Sequence, residues 1–79
     1  MYYSDAMRRA FQSIPKPHSS FKMDVIDNDH FLTLRIHLEP MMKMSGEDRK
    51  ECIVYALRVK EALEQAGAVV MVVRDAESK

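Results

Sequence analysis

Between Leu32 and Glu39 apolar and polar residues alternate without interruption, with Leu32, Leu34, Ile36 and Leu38 on one side and Thr33, Arg35, His37 and Glu39 on the other. A period of two fits an extended strand, and a slip of one residue would turn all four apolar side chains to water. The run therefore specifies a strand with one buried face, which needs both a neighbouring strand and a covering layer. Just upstream, Phe21, Met23 and Val25 alternate with Lys22 and Asp24, and Asp27-Asn28-Asp29-His30 supplies turn chemistry between the two runs. An antiparallel hairpin over about residues 21–27 and 31–39 follows from this pattern.

On either side of the hairpin the period becomes helical. Ser4 can cap a short helix that carries Asp5 in its first turn, and Met7, Ala10, Phe11 and Ile14 recur at i, i+3, i+4 and i+7. Pro15 should stop that helix at about Ile14, because the residue before a proline avoids the α region. Lys16 to Ser20 then reads as a connector. Pro40 is expected to end the second strand and Met41-Met42-Lys43-Met44 to form a loop, after which Ser45 can cap a long helix with Asp48 answering three residues on. Cys52, Ala56, Val59, Leu63 and Ala66 share a narrow arc of its wheel, flanked by Tyr55 and Ala62, and Gly67 suits a left-handed terminator, which puts the helix at about 46–66. Ala68 to Val73 is apolar on both faces and rich in valine, the pattern of an interior strand, and Arg74 to Lys79 reads as a polar, frayed end.

The expected fold is one α+β domain over residues 1–79, in the order α-β-β-α-β, with about 1–3 and 75–79 frayed. A hairpin plus a third strand forms a three-stranded sheet with two helices packed on it, and the unit from second to third strand should be a right-handed crossover if those strands are parallel. This order resembles a ferredoxin-like βαββαβ domain lacking its first strand, with only Met1-Tyr2-Tyr3 left where that strand would lie. The resemblance implies an architecture and no activity, since that fold hosts many unrelated functions.

With 79 residues the chain has little core to spare, and the net charge of zero supplies no global field toward nucleic acid or an anionic membrane. Cys52 is the only cysteine, which excludes an internal disulfide and makes a reducing cytoplasm the easier home. Charged residues interrupt every apolar stretch well short of membrane-spanning length.

No motif for catalysis or cofactor binding stands out. His18, His30 and His37 with Asp24, Asp27, Asp29 and Glu39 lack metal-ligand spacing, and the aspartates are ordinary turn formers. His30-Phe31-Leu32-Thr33 differs by one residue from the His-x-Thr pattern of two-histidine phosphoesterases and has no second copy; on a strand that shift sends the hydroxyl to the wrong face. Cys52 sits mid-arc, as a buried structural thiol would. Two glycines are too few for a phosphate loop.

The leading expectation is a non-enzymatic protein-interaction module without cofactor or small-molecule substrate. It would contact another protein or a second copy of itself through Met41, Met42 and Met44 together with Ile53, Val54 and Leu57, apolar residues outside the arc that one sheet covers. Small, neutral, methionine-rich chains of this kind resemble accessory proteins of phages and other mobile elements, which implies action on a host protein. Two alternatives belong to other classes. One is nucleic-acid or anion binding by a basic N-terminal segment containing Arg8, Arg9, Lys16 and Lys22, disfavoured by the small basic excess. The other is an enzyme with a dispersed site around His37, Glu39 and Arg35.

Overall fold

The computed structural model describes residues 2–75. Helix α1 (Asp5–Gln12) leads into strand β1 (Met23–Asp27) and strand β2 (Leu32–His37), followed by a short helix α2 (Leu38–Met42), the long helix α3 (Gly46–Gln65) and strand β3 (Val70–Asp75). The α+β order is the expected one, with α2 as an addition. The expected fraying at Met1 and at 76–79 falls outside the described residues, whereas Tyr2 and Tyr3 are held by hydrogen bonds and Arg74 and Asp75 belong to β3.

Helices α1 and α3 begin where their serine caps predict. Ser4 Oγ accepts the Met7 N–H at 3.2 Å, and Ser45 Oγ accepts the Asp48 N–H at 3.2 Å, satisfying N–H groups that the first turn leaves without intrahelical partners. Helix α3 closes on Gly67 at φ +100°, and the Ala68 N–H reaches back to the Leu63 carbonyl. Helix α2 overturns the expectation that Pro40 ends β2 and opens a loop. Pro40 is the third residue of α2, where a missing N–H costs no intrahelical bond, so proline starts this helix instead of blocking it.

The sheet runs β1-β2-β3, with β1 antiparallel and β3 parallel to the central β2. Leu34 pairs with Val25 on one side and Val72 on the other. The alternation read from the sequence is the observed burial: Leu32, Leu34 and Ile36 are buried, while Thr33, Arg35 and His37 are half-exposed. In a split βαβ unit another strand lies between the two parallel strands. Here β2 and β3 pair directly, so the space of the missing strand is closed and β3 becomes an edge strand. The expectation of an interior strand fails for that reason. Apolar residues on both faces of β3 describe its surface, and only one of its edges is paired among the described residues.

One face of the sheet carries the core. Cys52, Ala56, Val59 and Leu63 of α3 join Leu32, Leu34, Ile36 and Met7 of α1, and Phe21 meets the Tyr55 ring edge-on at 5.7 Å. The other face has no helix on it among the described residues. An N-terminal strap crosses one end of the sheet, where Asp27 Oδ2 accepts the N–H groups of Tyr2 and Tyr3, and the Tyr2 hydroxyl accepts the Val69 N–H at 2.8 Å. No helix among the described residues is long and apolar enough to cross a membrane.

Candidate protein-interaction surface

The six residues expected to make a contact surface do not lie on one surface. Met41 and Met44 are buried at 6% and 9% exposure, because α2 turns Met41 inward and Met44 Sδ accepts the Cys52 thiol at 3.7 Å. They are core gap-fillers, and their placement in a contact loop is corrected. Met42, on the far side of α2, is 72% exposed. Ile53 and Leu57 of α3 are exposed and line a groove of about 320 Å³ whose other wall is Val72 and Arg74 of β3, floored by Ile36 and Met41. Val54 lines a different depression, formed with Ile14, Pro15 and Pro17 beyond α1. On the wheel of α3, Lys50 and Glu61 come between Leu57 and Val54.

Strand β3 lies where the sequence pattern expects a third strand, but its exposure, and that of the residue before it, does not follow from that pattern. Val69, Met71, Val72 and Val73 are 63%, 54%, 38% and 37% exposed, a valine-rich run open to solvent on both faces. Register separates the faces. Val70, Val72 and Arg74 pair with the buried stripe of β2 and look toward α3, while Met71, Val73 and Asp75 pair with Thr33, Arg35 and His37 on the open face. The backbone adds a second feature. The Leu32 N–H donates to the Val69 carbonyl at 2.9 Å, and successive residues of a strand turn their polar groups to opposite edges. Residues 69, 71 and 73 therefore address β2, and Val70, Val72 and Arg74 direct N–H and C=O toward the open edge. The signal that could have located this edge is the connection itself: a strand reached by one helical crossover from the centre of a three-stranded sheet has only an outer position to take.

No family model, curated protein or solved structure matches the chain. Arg35 and His37 converge on Asp24, at 3.0 Å from Nη2 and 2.7 Å from Nε2. First the His37 bond and then the Arg35 bond hold the Asp24 carboxyl below its ordinary range. Glu39, the third residue expected there, lies exposed in α2 and takes no part in this cluster. The cluster reads as a cross-strand ion pair on an open sheet face, and of its three members only Asp24 lines a depression, a shallow one. Of the basic residues, Lys16 and Lys22 line one shallow depression with Phe11 and Tyr55, Arg8 lies over the Tyr3 ring at 4.8 Å, and Arg9 is exposed in α1. Cys52 is fully buried, and burial first, then Asp48 and Glu51, push its thiol pKa up. Among the described residues no group of three or more His, Cys, Asp or Glu could hold a metal ion.

Proposed function

We propose that this chain is a non-catalytic protein-interaction module that works through the outer edge of β3 and the adjoining groove lined by Ile53, Leu57 and Val72. The single observation behind this reading is that one edge carries both an exposed valine-rich run and backbone groups that no strand pairs among the described residues. Monomeric proteins ordinarily cover or charge such an edge, because it templates pairing with another chain. A module of this kind would act by occupying a surface, as an accessory protein of a phage or other mobile element acts on a host protein.

The test uses tagged chain in the cell that makes it, comparing wild type with Leu57→Glu, whose side chain is 58% exposed and so is compatible with an intact fold. A defined protein, or a second differently tagged copy, held by wild type and lost from the folded variant supports the reading. Equal retention by both, or none by either, refutes it.

A further inference from the structure

Resting on that reading, we infer that the occupant of the β3 edge is a second copy of this chain, joined by antiparallel β3–β3 pairing across a two-fold axis at Val72. The first support is register. The open-edge residues are Val70, Val72 and Arg74, evenly spaced about Val72. A two-fold there sets Val72 against its own copy and Val70 against Arg74 of the copy, so every outward N–H meets an outward C=O. On the open face the same register puts Met71 beside Val73 of the copy, an apolar cross-strand contact for two exposed side chains. On the helix face it brings the Ile53 and Leu57 flank of each α3 toward the other across Val72, closing the groove.

The second support is charge. Antiparallel pairing keeps the two Arg74 side chains apart, where a parallel pairing would set them side by side. It also carries each Arg74 to the Val70 end of the copy's strand, and that end adjoins the C-terminus of α3 through the short turn at Gly67. Helix α3 has no basic residue in its last turn, and on the flank that holds Ile53 and Leu57 it exposes Glu64, whose carboxylate accepts from Lys60 Nζ at 2.9 Å. A cation from outside thus meets the negative end of a helix that has no basic side chain in its last turn, while the Glu64 carboxylate is already engaged by Lys60. The interface is isologous and stops at two chains, giving a continuous six-stranded sheet.

Proline at position 72 provides the test. The Val72 N–H points to the open edge and plays no part in pairing with β2, so Val72→Pro leaves the monomer's ladder intact and removes both hydrogen bonds at the two-fold. Wild type, sized by sedimentation equilibrium from micromolar to millimolar concentration, should show twice the 9.2 kDa chain mass, and folded Val72→Pro half of that value. In a Cys52→Ala background, Val72→Cys should form an intermolecular disulfide under mild oxidation, because residues facing across a two-fold lie within bridging distance, and Val54→Cys should not. A wild-type monomer at millimolar concentration, a mass that keeps growing with concentration, or a dimer that survives Val72→Pro each overturns the inference. If wild type is a monomer but Leu57→Glu still releases a protein captured in the cell, the second copy is refuted while the interaction module stands.

Discussion

Leu34→Ala tests the central argument that β2 is buried on one face only. Leu34 has no exposed surface, lies in the middle strand between Val25 and Val72, and faces the arc of α3. Truncating such a side chain loses its transfer free energy and leaves a cavity that strands on both sides keep from collapsing, a cost of about 3 kcal/mol. A chain of 79 residues has a total stability on the order of 5 kcal/mol. The variant would retain about 2 kcal/mol, with roughly 3% of molecules unfolded at 25 °C. In urea, with a slope of about 1 kcal/mol per molar for a chain this small, the midpoint should fall by roughly 3 M. Thr33→Ala on the opposite face removes the hydroxyl that accepts the Asn28 amide at 2.7 Å and should cost only about 1 kcal/mol. Chemical denaturation of both variants at one pH, followed by circular dichroism, is the assay. Equal losses at the two positions would mean that both faces of β2 are covered and that the period-two argument fails.

Asp27 accepts the N–H groups of Tyr3, Asp29 and Tyr2, which hold its carboxyl below the ordinary range. A folded pKa below the unfolded one stabilises above the ordinary carboxylate pKa and is lost as pH falls through the lowered value, so Asp27→Asn should flatten the acid limb of stability in urea titrations between pH 7 and pH 3. Cys52 should react with a thiol reagent only at the rate of unfolding, since it is buried and its thiolate is disfavoured; labelling of native protein within seconds would contradict this. Gly67→Ala should cost about 1–2 kcal/mol in thermal melts, entirely through φ +100°, because no atom lies within 4 Å of the added methyl; a neutral result would show the αL cap to be dispensable.

Local chemistry and one-sided burial were legible in the sequence. The stripe of β2, the caps at Ser4 and Ser45, the arc of α3 around Cys52 and the stop at Gly67 each depend on neighbours a few residues away. What failed to show was anything decided by tertiary placement. The pattern around Met41 and Met44 suits a loop only if Pro40 terminates the chain's regular structure, and proline is instead accepted in a first helical turn. Val69 to Val73 looked interior because hydropathy reports what a side chain prefers and not which neighbour supplies it. The grouping of Val54 with Ile53 and Leu57 failed similarly: all three are exposed on one helix, but α1 and β3 divide them between two depressions. Phe21 is buried as the hairpin pattern implied, yet it lies before β1, so burial and strand pairing begin two residues apart.

The bond from the Val69 amide to the Tyr2 hydroxyl joins residues 67 positions apart. Closing a loop of that length by itself costs roughly 4 kcal/mol of chain entropy, several times what one hydrogen bond returns. The strap can therefore close only after the crossover helix has delivered β3 to its place and brought the two segments together. It belongs at the end of folding, after the hairpin and after the parallel pairing, which is the slow kind of contact. During synthesis Tyr2 emerges early, and its hydroxyl must wait for Val69 although the Tyr2 and Tyr3 N–H groups can already bond Asp27. Protection of the Val69 amide from solvent exchange then marks the moment at which a refolding molecule has completed its sheet.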